Sequence, residues 1–173
     1  FDNNYMQLNQ EKCHLLISGY KHEMLWADIG NHRIWESSGQ KLLGINMDCN
    51  LKFDNYISMQ CKKAGQKLSA LIRISQFMNL KQRRLIMKAF IESQFGYCPL
   101  VWMFSGKKPN NRINHLHERA LRVVYGDSTS SFSELLTRDG SVTIHNRNLH
   151  SLAIELYKVK NALSTQIMSE IFE

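Results

Sequence analysis

The sequence predicts an α+β fold, predominantly helical, with a short N-terminal hairpin and strand region followed by helices to the C-terminus. Three observations predict it. Short apolar runs separated by turn residues fill the first fifty positions, apolar residues recur at three and four from Asp54 onward, and Gly or Pro breaks that helical period at intervals. At 173 residues, the chain is long enough for one domain with a core, or for two small lobes.

Taken in order, CHLLIS (13–18) is a short apolar run, and LWADI and RIW flank a turn signal at Gly30 and Asn31. The pair reads as a hairpin, with Gly30 supplying the positive φ that a tight turn needs. KLLGINM (41–47) is a further apolar run, so three or four short strands are expected. From Asp54 the period becomes helical. Ile57, Cys61, Ala64, Leu68 and Leu71 form one apolar face of a helix running to about Phe77. Asn79 suits the cap of a second helix over 80–94 that buries Leu85, Ala89 and Phe90. Gly96 and Pro99 break it. Within SQFGYCPLVWMF (93–104), Phe95, Tyr97, Leu100, Val101, Trp102 and Phe104 are expected to form an apolar hub. A third helix starts at Asn110 and Asn111, turns Ile113, Leu116, Ala120 and Val123 inward, and stops at Gly126. Ser131 and Glu134 make a capping box, and Ile144 to Leu163 form a long helix with Leu149, Leu152, Leu156 and Val159 on one face.

Composition narrows the class. With 43% hydrophobic and 21% charged residues the chain is globular, and no apolar run approaches the roughly 20 residues a bilayer crossing needs. The opening FDNNYMQLNQ has neither a basic nor an apolar leader region, which predicts an intracellular protein, nuclear or cytoplasmic and not secreted. Position 1 is not Met and falls inside an amphipathic-looking segment, which suggests a fragment. Cys13, Cys49, Cys61 and Cys98 form no C-x-x-C pair and are expected as reduced, mostly buried thiols.

The net charge of +7 is unevenly placed. From Lys52 to Tyr125 there are 14 Lys plus Arg against Asp54, Glu92 and Glu118, a net of +11, so the rest of the chain carries −4. The cations fall at helical spacings: Lys62, Lys63, Lys67 and Arg73, then Lys81, Arg83, Arg84 and Lys88, then Arg112, Arg119 and Arg122. Such stripes fit a phosphate backbone; the alternative is a solvated surface laced with ion pairs. With three acids nearby, few cations are expected to be paired internally, which favours a polyanion.

Catalytic chemistry is hard to find. Two-metal nucleotidyl transfer needs converging carboxylates, yet there is no Asp-Asp pair among six dispersed aspartates, and no phosphate-loop, nucleophile-elbow or zincin motif occurs. His115 and His117, two apart, point to different helix faces and make a poor metal pair. Cys98 has no neighbouring cation and is expected as a core thiol. The residues favour a binding or structural module over a self-sufficient enzyme.

Five blocks then form a recognisable order. YMQLNQEKCHLLI resembles the motif after the catalytic strand in reverse transcriptases of non-LTR retrotransposons. KLLGINMDCNLKFDNYI resembles the primer grip and the entry to the thumb. SQFGYCPLVWMF, NRINHLHERALRVVY and SFSELLTRDGSVTIHNRNLHSLAIELYKVKN are similar to the stretch that follows in jockey-like elements. The resemblance covers about Asn4 to Leu163.

It implies a palm remnant with a primer-grip-like hairpin over 1–51, a basic thumb-like helical region over 52–126, and a helical extension over 127–173. It implies that Lys12 contacts nucleotide phosphates or acts as general acid in the full enzyme, an exposed strand-entry lysine being the alternative. Leu43 and Gly44 take the primer-grip position, and the cations from Lys62 to Lys88 grip an RNA/DNA template-primer. The complete family enzyme uses two Mg ions, but the palm strands and fingers that hold its catalytic aspartates would precede Phe1, and Asp2, Asp28 and Asp48 do not stand in for them. No metal or other cofactor is therefore expected in this fragment, and polymerisation by it alone is not. The rival expectation is a vestigial or repurposed protein-interaction module without nucleic-acid function.

Overall fold

The computed structural model describes residues 9–19, 23–165 and 170. The fold is α+β and mostly helical, with two antiparallel strand pairs preceding the helices. The chain divides into two compact units, Phe1–Tyr56 and Ile57–Glu173.

In the first unit, Asn9 caps a 3-10 turn at Gln10–Lys12, its Oδ1 accepting from the Glu11 N–H at 3.1 Å. Strands β1 (Trp26–Ile29) and β2 (His32–Trp35) form a hairpin in which Ala27 pairs with Ile34 and Asp28 with Arg33. Gly30 turns it at φ 59°. Alternation along the strands turns Ile34 inward and leaves Trp26 and Trp35 outside, facing each other with ring centroids 5.6 Å apart. CHLLIS, read as a strand, contributes only an isolated parallel bridge between Leu15 and Glu36. KLLGINM, read as one run, folds back on itself: β3 (Gly39–Leu42) pairs with β4 (Ile45–Asp48) across a turn at Leu43 and Gly44, with φ of 45° and 89°. A leucine at positive φ is uncommon, so the run hides its turn; only Gly44 marks it. Asp48 then organises the exit loop. Its Oδ1 accepts from the N–H of Asn50 and of Lys52, both at 3.1 Å, and its Oδ2 from that of Phe53 at 2.8 Å. Burial raises its pKa, but these donors outweigh it and the value falls below that of an ordinary aspartate.

Helix α1 (Asp54–Ile74) leads into the second unit and passes into a 3-10 turn at Ser75–Phe77. Ile57, Cys61, Ala64, Leu68 and Leu71 are all buried, as their spacing of three and four predicts, and Tyr56, which that spacing passes over, is buried with them. Helix α2 (Leu80–Ile86) begins with a capping box: the Gln82 N–H donates to Asn79 Oδ1 at 2.9 Å, and the Asn79 N–H to Gln82 Oε1 at 3.0 Å. It continues as a wide π-turn at Met87–Ile91, where the Glu92 N–H reaches the Met87 carbonyl, and closes as a 3-10 turn at Glu92–Phe95.

The inner face of this segment is Met87, Ile91, Glu92 and Phe95, while Leu85, Ala89 and Phe90, read as inward, are exposed. Apolar residues surround the helix almost completely, so periodicity alone selects no face. Pro99 opens the one-turn helix α3 (Pro99–Trp102) after Cys98 in a left-handed conformation, φ 42°. Phe95, Trp102 and Met103 are buried, but Tyr97, Val101 and Phe104 of the expected hub are exposed. Cys98, expected in the core, is exposed, and of the four cysteines only Cys61 is buried.

Helix α4 (Lys107–Tyr125) ends at Gly126 with φ 63°. It turns Ile113, His117, Ala120, Leu121 and Val124 inward, leaving Leu116 and Val123 half-buried. It packs against α2, the π-turn, α5 (Phe132–Asp139) and α6 (Ile144–Lys160). The expected capping box opens α5: the Ser131 N–H donates to Glu134 Oε2 at 2.7 Å and the Glu134 N–H to Ser131 Oγ at 3.3 Å. Ser131→Ala removes one half of it and is expected to cost about 1 kcal/mol in urea unfolding. On α6, Ile144 and Asn148 are buried, Leu152 and Val159 are half-buried, and Leu149 and Leu156 are 38% and 44% exposed.

Candidate nucleic-acid interface

Between Asn55 and Ile91 the chain has no Asp or Glu and eight cations. The structure sorts them into two groups. Lys62, Lys63, Arg73 and Lys81 are exposed on α1 and α2, with no acid partner among the described residues. Lys63 and Lys67 lie on one face of α1, one turn apart. Lys67 is half-buried, its Nζ 5.9 Å from the centre of the Phe90 ring.

The other three cations are bound into the fold. Arg83 donates to the Val123 carbonyl at 3.2 Å. Arg84 Nε donates to Asp139 Oδ1 at 2.6 Å, and its Nη2 bonds the Asp139 carbonyl. Lys88 Nζ lies 3.7 Å from Asp139 Oδ2. Asp139 is fully buried and also accepts from the Tyr125 hydroxyl at 2.9 Å. Burial pushes its carboxyl up, but the bonds from Arg84 and Tyr125, the nearby Ser141 hydroxyl and the charge of Lys88 hold it below the ordinary aspartate value. The expectation that few cations are paired internally overlooked this acid, which comes from the next segment of the chain.

A second buried polar cluster joins three helical segments. Glu92 Oε2 accepts from Arg147 Nη1 at 2.9 Å, and Glu92 Oε1 lies 3.5 Å from His117 Nε2. The His117 ring meets Phe132 edge-on at 5.6 Å. Burial pushes Glu92 up, yet the adjoining His117 and the cations of Arg147 and Lys88 bring it below an ordinary glutamate. The sequence marks His117 only as half of a poor metal pair and Glu92 only as an acid among the cations, and it marks neither Asp139 nor Arg147, because the partner of each is distant along the chain. On the remainder of α4, Arg112 donates to Ser58 Oγ at 3.1 Å, Arg122 pairs with Glu118 at 2.7 Å, and Arg119 is exposed.

In the first unit, Lys12 is exposed at the end of its 3-10 turn. Leu43 and Gly44 form the tip of the β3–β4 hairpin, with Leu43 82% exposed. Asp28 is held by Arg33 at 2.9 Å and both oxygens of Asp48 serve the backbone loop, while Asp2 lies outside the described residues. Among the described residues no three His, Cys, Asp or Glu side chains gather to hold a metal ion, and no helix is long and apolar enough to cross a membrane. Comparison with protein-family models, curated proteins and solved structures finds no match to this chain.

Proposed function

We propose that this chain is the thumb side of a jockey-like reverse transcriptase, an RNA-directed DNA polymerase of a non-LTR retrotransposon. In this reading it holds an RNA/DNA template-primer by its phosphate backbone, and does not itself carry out nucleotidyl transfer. The observation that carries the reading is the acid-free stretch from Asn55 to Ile91, which leaves Lys62, Lys63, Arg73 and Lys81 exposed without an acid partner among the described residues. Cations held in internal ion pairs have little left for phosphate; these four have their charge available, and each phosphate they neutralise releases condensed counterions. Recognition through such contacts follows backbone charge and shape rather than base sequence.

Fluorescence anisotropy on a dye-labelled RNA–DNA hybrid tests this. Affinity is expected to fall steeply with salt, and replacing Lys62, Lys63, Arg73 and Lys81 by Gln is expected to reduce the log–log slope by about 3 to 4. Undetectable binding, or a slope unchanged by the four substitutions, rejects the reading. Arg83, Arg84 and Lys88 are left intact, because their loss would damage the fold.

A further inference from the structure

We propose that the groove where α1 runs into α2 docks a protein partner, through an amphipathic segment with apolar anchors and acidic flanks. The groove is shallow and open, about 510 Å³ in volume, and is lined by Ile74, Phe77, Met78, Gln82, Leu85 and Ile86. Phe77 is 81% exposed and Leu85 68%. Ile74 is exposed with them, so three of the six lining side chains are open apolar groups gathered in one groove rather than scattered singles.

Charge complementarity decides the occupant. Arg73 immediately precedes Ile74 and Lys81 lies one turn before Leu85, and the stretch from Asn55 to Ile91 contributes no carboxylate. An apolar trough with a positive rim matches a helix whose inner face carries Leu, Ile, Phe or Met at spacings of three and four, and whose flanks carry Asp or Glu. The exposed apolar residues of α6 in a second copy, Ile154, Leu156 and Tyr157, offer no acidic flank to the rim, because Glu155 is already paired with Lys158 at 2.8 Å. Unpaired nucleic-acid bases fit less well than a peptide, because of the six lining side chains only Phe77 offers an aromatic face. The rim shares Arg73 and Lys81 with the proposed template-primer surface, whereas the apolar anchors Phe77 and Leu85 lie outside that set, so substituting the anchors tests the groove separately.

The test is selection of a displayed random-peptide library on the full chain, with the Phe77→Ser/Leu85→Ser double variant as counter-target. Both positions are exposed, so the buried core is left as it is. The expected pool has apolar residues at helical spacing flanked by Asp and Glu. A synthetic peptide from it should bind at least about tenfold more weakly to the double variant and to Arg73→Glu/Lys81→Glu. Hybrid affinity of the Phe77→Ser/Leu85→Ser variant should be unchanged. A pool without acidic flanks, or no enrichment over the double variant, overturns the proposal. So does loss of hybrid or single-stranded RNA affinity in that variant, which would assign the groove to nucleic acid.

Discussion

Arg84→Met is expected to destabilise residues 57–173 by about 3 to 5 kcal/mol, and by more than Asp139→Ala. The asymmetry follows from exposure. The Asp139 side chain is fully buried, so losing Arg84 leaves a buried carboxylate with only Lys88 and the Tyr125 hydroxyl to compensate it, whereas Arg84 and Lys88, about 40% exposed, recover hydration when Asp139 is removed. Acidity separates the two variants further. In the native chain the Asp139 carboxyl lies below its ordinary value, so its contribution is complete above that value and is lost as pH falls through the folded one. Glu92 adds a loss of the same sign. In Arg84→Met, burial with fewer partners raises the Asp139 carboxyl, so mild acidification neutralises it and narrows the gap to the native chain. Thermal unfolding followed by circular dichroism at neutral pH and near pH 4 checks this; a gap that widens on acidification counts against the assignment.

Trp102→Ala is expected to cost about 3 to 5 kcal/mol in urea unfolding. Trp102 is 2% exposed on α3, which packs against α6, and its indole N–H donates to the Tyr97 carbonyl at 3.0 Å. Trp102→Phe keeps most of the ring volume but loses that donor, so it should cost less than Trp102→Ala. Phe104→Ala, two residues on but 68% exposed, should stay within about 0.5 kcal/mol. Equal effects at Trp102 and Phe104 would mean that the apolar stretch is not divided between core and surface as the structure has it.

That division also marks how far the sequence could be read. The inner face of α1 was legible because its five apolar positions have no competing set, and the caps at Asn79 and Ser131 because side chain and backbone three residues apart define them locally. In α2 and its continuation two apolar faces compete. The choice of Met87, Ile91 and Phe95 brings Glu92 inward towards His117 and Arg147, residues that lie 25 and 55 positions later. On α4 a hydrophobic count passes over His117, although it is buried. The candidate interface was legible as a charge excess but not in its membership: Arg84 and Lys88 answer to Asp139, an acid that a tally over neighbouring residues does not include. The apolar groove was not legible at all, because exposed Phe77 and Leu85 look like core residues until the helices are placed.

The left-handed turn at Cys98 offers a practical handle. It holds an unoxidised sulfur in the open, whereas Cys61 is enclosed and Cys13 and Cys49 are partly covered. A maleimide dye added to the native chain should therefore attach first at Cys98, where access is greatest. The label would sit four residues from the indole of Trp102, giving an optical ruler on the packing of α3 without an engineered cysteine.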